Sequence, residues 1–136
     1  MLFRSRRALT ETTDAESSPH FTEDEQRVTF VRNNNLFAIS LRDRKAVVGG
    51  IVGEVWSGVL FIQFFWIEER FRGKGHGTAL IEKIEEDARR FGAVRSYLDT
   101  MSFQAPAFYR SCGYEAFGAI DGYPGGVTRH WFTKAL

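Results

Sequence analysis

The sequence predicts one α/β domain built on a mixed, mostly antiparallel sheet with flanking helices, and three observations carry that expectation. Two adjoining apolar runs, Ala46 to Val55 and Val59 to Ile67, meet at Trp56-Ser57-Gly58 and read as an antiparallel hairpin. A glycine-rich stretch, Arg72-Gly73-Lys74-Gly75-His76-Gly77, follows and opens a long amphipathic helix. Beyond it the apolar pattern gives a strand, a short helix and two more strands, so the full order is three strands, helix, strand, helix, two strands.

Residues 1–20 are Arg-rich at the start and then polar and rich in Ser and Thr from Thr10 to Pro19, which reads as a flexible leader before a domain at 21–136. Phe21 to Val31 reads as a short helix. Leu36 to Leu41 is a strand, turned at Asp43-Arg44 into the run that begins at Ala46. The long helix, from about Gly75 to Phe91, places Leu80, Ile84, Ala88 and Phe91 on one stripe with Ile81 beside them. Its i to i+4 pairs Glu85 to Arg89 and Glu86 to Arg90 read as a solvated face, and Gly92 suits a left-handed C-terminal cap. Val94 to Thr100 reads as a buried strand. Ser102 can cap a helix from about Gln104 to Cys112, with Pro106 tolerated in the first turn and Gly113 ending it. Tyr114 to Ile120 and Val127 to Lys134 are the last strands, around a loop at Asp121 to Gly126.

Composition bounds the function. At 136 residues and 43% apolar content the chain can bury one core. A formal charge of +1 without a dense Lys/Arg tract does not indicate a nucleic-acid surface. The single cysteine, Cys112, cannot form an internal disulfide and reads as a small core thiol. No run is long and uncharged enough to span a bilayer, so a cytoplasmic setting without membrane contact is expected. No metal is expected.

The glycine stretch carries the chemistry. Glycines let backbone N–H groups approach a ligand closely, and a helix N-terminus adds partial positive charge, so strand, loop and helix form an anion cradle suited to a diphosphate. Two common signatures fail here. No window supplies the P-loop pattern, and the third glycine of the dinucleotide fingerprint is replaced by Thr78. What fits is Arg, two residues, Gly, one residue, Gly, from Arg72 to Gly77.

This pattern resembles the coenzyme A pyrophosphate loop of the GNAT superfamily of N-acetyltransferases. A second stretch, Ser102-Phe103-Gln104-Ala105-Pro106-Ala107-Phe108-Tyr109-Arg110-Ser111-Cys112-Gly113-Tyr114, is similar to the family segment in which an Ala and a Phe/Leu-Tyr pair precede Gly-Phe or Gly-Tyr. The two motifs stand in the family's order and separation, and the resemblance covers roughly Leu36 to Leu136. It implies a small bacterial-type member whose first strand and early helices are absent or degenerate, because only about 35 poorly patterned residues precede Leu36. A partner protomer could then complete the sheet, so a homodimer enters the expectations.

By the same resemblance, acetyl-CoA is the cosubstrate. Its contacts would fall on Trp66, Ile67, Arg72, Gly73, Lys74, Gly75, His76, Gly77, Thr78 and Ser102. Ser102 stands where many members carry an Asn, and suits either a cofactor hydrogen bond or a helix N-cap. His76 would face solvent or neighbour a phosphate. The backbone from Phe65 to Ile67 would run beside the pantetheine arm and give an N–H to the thioester oxygen. Tyr109 would be the general acid for the departing thiolate, since a phenol with pKa near 10 holds its proton at rest. The general base is open among Glu54, Glu68, Glu69, Asp99 and water; Gln63, mid-strand, cannot serve. Trp56, Tyr123, His130 and Trp131 either line an acceptor pocket or pack as ordinary aromatics. The function implied is acetyl transfer to an amine of a small molecule or peptide by direct attack in a ternary complex. The alternative is a catalytically degenerate acyl-CoA-binding module.

Overall fold

The computed structural model of the chain describes residues 25–32, 36–44 and 46–136. The strands are β1 Glu25–Arg32, β2 Leu36–Asp43, β3 Ala46–Trp56, β4 Val59–Ile67, β5 Arg95–Met101, β6 Glu115–Tyr123 and β7 Val127–Ala135. A 3-10 turn at Glu69–Phe71 and the helices α1 His76–Arg90 and α2 Pro106–Ser111 accompany them. The strands form one seven-stranded sheet in the order β1-β2-β3-β4-β5-β7-β6. Every neighbouring pair is antiparallel except β4 with β5, which gives the mixed, mostly antiparallel sheet expected from the sequence. The leader at 1–20 and the start of the 21–136 domain lie outside the described residues.

One expectation is corrected at the N-terminal edge. Glu25–Arg32 is a strand, not part of a short helix. Val28, Thr29, Phe30 and Val31 are β-branched or aromatic, types that lose rotamer freedom in a helix and suit a pleated surface. Pairing with β2 from Glu25↔Asp43 to Arg32↔Leu36 supplies the backbone hydrogen bonds that a short isolated helix would hold only marginally. The first strand is therefore present within the chain, and four strands precede the glycine loop. Residues 33–35 alone separate β1 from β2. The case for a homodimer from an incomplete sheet loses its premise.

The hairpin at the centre follows its letters. Ser57 (φ 51°) and Gly58 (φ 78°) both adopt left-handed backbone, the requirement of a two-residue turn whose twist matches that of its strands. Alternate residues of β2, β3 and β4, among them Ile39, Ile51, Leu60 and Phe65, pack against the Leu80, Ile81, Ile84 and Ala88 stripe of α1 in one core. Gly53 permits that approach. A Cβ there would lie 2.8 Å from Leu60 Cδ1 and 2.9 Å from Ile84 Cδ1.

Three further differences have local causes. Glu85 is not on a solvated face: it is 1% exposed, accepts a hydrogen bond from the Tyr114 hydroxyl at 2.8 Å and pairs with Lys134 Nζ at 2.9 Å. Its neighbour Glu86 does meet Arg90 at 2.9 Å on the surface. The helical period cannot tell a carboxylate that meets a distant Lys and Tyr from one that meets water. Phe91 is 47% exposed and meets the Phe37 ring edge-on, and β5 alternates between buried and accessible residues instead of being buried throughout. The last strands run longer than read, β6 continuing through Asp121 to Tyr123 before the turn.

Candidate active site

The site begins where the sheet comes apart. β4 and β5 pair in parallel only at Val59↔Arg95, Leu60↔Ser96 and Phe61↔Tyr97. Just beyond, the β3–β4 register passes from Gly53↔Ile62 to Val52↔Phe64, so Gln63 is an extra residue without a partner. Such a bulge bends and twists its strand, and it turns β4 away from β5, which instead continues along β7. Gln63 is itself held, its Nε2 donating to Glu54 Oε2 at 3.3 Å. Between the diverging strands lies a cleft of about 480 Å3, lined by Phe65, Trp66 and Ile67 of β4, by Arg72, Gly73, Gly75, Gly77 and Thr78, and by Phe103, Gln104, Ala105, Phe108 and Tyr109.

The loop geometry explains its glycines. Gly73 (φ 72°) and Gly75 (φ 87°) adopt left-handed backbone with open space where a Cβ would point, so conformation is the constraint there. Gly77 is constrained by space: a Cβ would stand 3.0 Å from Phe108 Cζ and 3.3 Å from Ile67 Cδ1. Gly75 is the N-cap of α1 and supplies no side-chain cap, leaving the first-turn N–H groups for a ligand. Arg72 donates from Nε to the Ile67 carbonyl at 2.9 Å and ties the loop to the end of β4.

Lys74, His76 and Ser102, also expected in the cradle, are not among the residues that line the cleft. Lys74 does not line the cleft, and its Nζ lies 5.8 Å from the Phe71 ring centroid. His76 is 9% exposed with its ring 6.1 Å from that of Phe71, so it does not face solvent. Ser102 neither caps α2 nor lines the cleft. Its N–H donates to the Thr128 carbonyl at 2.8 Å and its Oγ accepts from the Thr128 N–H at 3.1 Å, which docks this turn on β7. Gln104 stands in the cleft instead, its Oε1 accepting from Met101 N–H at 2.8 Å and from Thr100 Oγ1 at 3.1 Å. Sequence reasoning missed Gln104 and the rings of Phe103 and Phe108; the motif that contains them was its only signal.

Tyr109 is 1% exposed, yet it lines the cleft and its hydroxyl takes part in no hydrogen bond with a described residue. Phe65, Phe108, Tyr114 and Phe132 surround its ring at centroid distances of 6.3, 5.3, 6.4 and 6.2 Å. Burial, with smaller contributions from Cys112 and Asp99, pushes the phenol above its ordinary pKa. The phenol is thus a weaker acid than a free tyrosine and keeps its proton throughout the neutral range. Burial also raises the Cys112 thiol, against hydrogen bonds from Ser111 and Thr78, so it is held as a thiol at the back of α2.

The candidate bases are separated by the fold. Glu54 lies opposite Phe61, where β4 and β5 are still paired, and is engaged by Gln63. Glu68 pairs with Arg70 Nε at 2.8 Å beyond the strand, and Glu69 is exposed on the 3-10 turn. Asp99 alone of the four stands on β5 past its last pairing with β4. Of the aromatics, Trp56 is 76% exposed at the hairpin turn, at the far end of β4 from the cleft. His130 and Trp131, adjacent on β7, point to opposite faces: His130 pairs with Thr100, and Trp131 with Asp99. Among the described residues no group of three or more His, Cys, Asp and Glu could hold a metal ion, and no helix is long and apolar enough to cross a membrane.

A mixed sheet split at a bulge, with a glycine-capped helix N-terminus on one side of the split and a buried phenol on the other, defines an acyl-CoA-type transferase site. Comparison with known proteins gives the family. Residues 5–114 match the acetyltransferase (GNAT) family, and the chain belongs to it. It is 39% identical over 95 residues to a blasticidin-S acetyltransferase of Streptomyces morookaense, covering 69% of this chain and 70% of that one. An acetyltransferase of Agrobacterium fabrum is 33% identical over 92 residues, covering 68% and 67%. The crystal structure of a Bacillus cereus acetyltransferase superposes with a TM-score of 0.67 at 30% identity, covering 86% of this chain and 81% of that one. Acetyl-CoA-dependent acetyl transfer of the GNAT type is therefore the general chemistry of this fold and site.

Proposed function

We propose that this chain transfers the acetyl group of acetyl-CoA to an amine nitrogen of a small acceptor by direct attack in a ternary complex, with Tyr109 as the general acid. The observation that carries the reading is the buried Tyr109 hydroxyl, without a hydrogen-bond partner among the described residues, in the cleft that the glycine loop lines. The first-turn N–H groups of α1 receive the diphosphate, with Arg72 beside them. The parallel pairing of β4 with β5 ends at Phe61↔Tyr97, and the pantetheine arm and the thioester oxygen would lie beside the β4 backbone from Phe65 to Ile67, which lines the cleft.

The acceptor's ammonium loses one proton to water or a carboxylate, the freed lone pair forms the N–C bond at the thioester carbon, and the nitrogen then gives a second proton to solvent to leave the neutral amide. As the C–S bond breaks, its electron pair passes to sulfur, which takes the Tyr109 proton; solvent then returns a proton to the phenol. No acyl-enzyme is needed. Blasticidin S is the first acceptor to try, because a relative at 39% identity is named for it.

The test begins with a thermal melt, because a ligand that binds only the folded state stabilises it by about 2.7 kcal/mol at 100 times Kd. Acetyl-CoA, but not NAD or ATP, is expected to raise Tm, and Gly75→Asp to abolish the shift by placing a carboxylate at the diphosphate. Thiol release with blasticidin S and an amine panel then reads transfer. A selective shift without thiol release from any amine would make the chain a degenerate acyl-CoA-binding module.

A further inference from the structure

The side of the split away from the helices carries a second arrangement of charge. Tyr97 and Asp99 alternate with the buried Ser96, Leu98 and Thr100, so they occupy the opposite face of β5. Phe61 and Tyr97 stack there at 4.7 Å across the last β4–β5 pair. Two residues further on, in the open part of the split, Asp99 lies opposite Trp131 of β7.

Arg129 fixes this carboxylate in an asymmetric way. Its guanidinium lies 4.8 Å above the Trp131 ring and directs Nε at 2.8 Å and Nη2 at 2.7 Å onto the same oxygen, Asp99 Oδ2. Oδ1 takes no hydrogen bond from any described residue. After burial and Cys112, the Asp99 charge adds to the upward shift of the Tyr109 phenol. The glycine loop, α1 and α2 occupy the helix side, whereas Asp99 stands on the other face of β5 with its side chain 20% exposed.

We propose that Asp99 holds the reacting ammonium of the acceptor through Oδ1, that Arg129 is its positioning residue, and that the acceptor is an organic cation whose carbon skeleton lies against the stacked Phe61 and Tyr97 rings. This rests on the N-acetyltransferase reading above. An Asp clamped through one oxygen by a stacked guanidinium has lost the rotamer freedom it would otherwise surrender on binding, so the cation meets a preset acceptor. A cation beside a stacked aromatic pair gains further from the ring faces.

The experiment uses the full chain with acetyl-CoA and a panel of blasticidin S, spermidine, agmatine, tyramine, benzylamine and glutamate, read by thiol release. Cationic amines are expected to be used and glutamate, with its net negative charge, to be refused. Asp99→Asn keeps the shape and is expected to raise KM for the cations roughly ten- to hundredfold, the worth of a hydrogen bond to a charged group, with the acetyl-CoA melt shift intact. Arg129→Lys, which loses the two-nitrogen grip, should raise KM less. Unchanged KM in Asp99→Asn, a fall in kcat alone, or glutamate as the best acceptor would overturn the proposal while leaving the transferase reading standing. Acetyl-CoA binding without thiol release from any amine would overturn both.

Discussion

Replacing Tyr109 by Phe separates chemistry from architecture more cleanly than any other change in this chain. The hydroxyl makes no hydrogen bond with a described residue, so its removal leaves no partner unsatisfied, and the four surrounding rings at 5.3 to 6.4 Å keep their contacts. Stability should change by less than about 1 kcal/mol, since only a large penalty for an orphaned buried group would exceed that. The acetyl-CoA melt shift should persist, because the cradle lies on the loop and α1. Turnover should fall by roughly 10² to 10⁴, the usual contribution of a positioned general acid, which is about 2.7 to 5.5 kcal/mol of barrier at 1.36 kcal/mol per tenfold. The burial-raised phenol also predicts that wild-type kcat shows no alkaline fall from Tyr109 until well above pH 10, because the proton must be present to be given. Stopped-time thiol release with a saturating acceptor measures both. A Phe variant with wild-type kcat across that range would refute the assignment.

The other predictions concern the cradle and the buried polar groups. Gly77→Leu places a side chain where even a Cβ meets Phe108 at 3.0 Å and Ile67 at 3.3 Å, and should abolish the acetyl-CoA melt shift; a retained shift would show that the cofactor does not lie along this edge. Glu85→Ala leaves Lys134 and Tyr114 without their shared carboxylate and should destabilise the fold by about 3 to 5 kcal/mol in urea titration. Glu85→Gln should cost less, because an amide still accepts from Tyr114. Tyr109 and Tyr114 both keep their protons above the ordinary phenol pKa, through burial first, with the nearby Glu85 adding at Tyr114. Above pH 10 the unfolded chain gives up two protons that the native chain holds. The stability these phenols provide is thus full below pH 10 and declines as pH rises toward their native values, by up to about 2.7 kcal/mol per unit. The double variant Tyr109→Phe, Tyr114→Phe should flatten that limb.

The local order of this protein was decided by its sequence. The hairpin at Ser57-Gly58, the stripe Leu80, Ile81, Ile84 and Ala88, the cap at Gly92 and the glycine loop were legible because each is a constraint between residues close in the chain: a left-handed turn, a 3.6-residue period, a helix start without a side-chain cap. Family membership was legible for the same reason, since both motifs are short contiguous stretches. What tertiary structure decided was everything that depends on which distant groups meet. Glu25–Arg32 is a strand because β2 is there to pair with it. Glu85 is buried because Tyr114 and Lys134 arrive from 29 and 49 residues away. Ser102 turned from cap or ligand into a link to Thr128. The extra residue Gln63 shows only against its neighbour strand, yet it opens the cleft, and the grip of Arg129 on Asp99 spans 30 residues that no period or spacing relates. Local propensities are written in neighbouring letters, whereas burial and electrostatic pairing are set by the three-dimensional packing that those letters jointly produce.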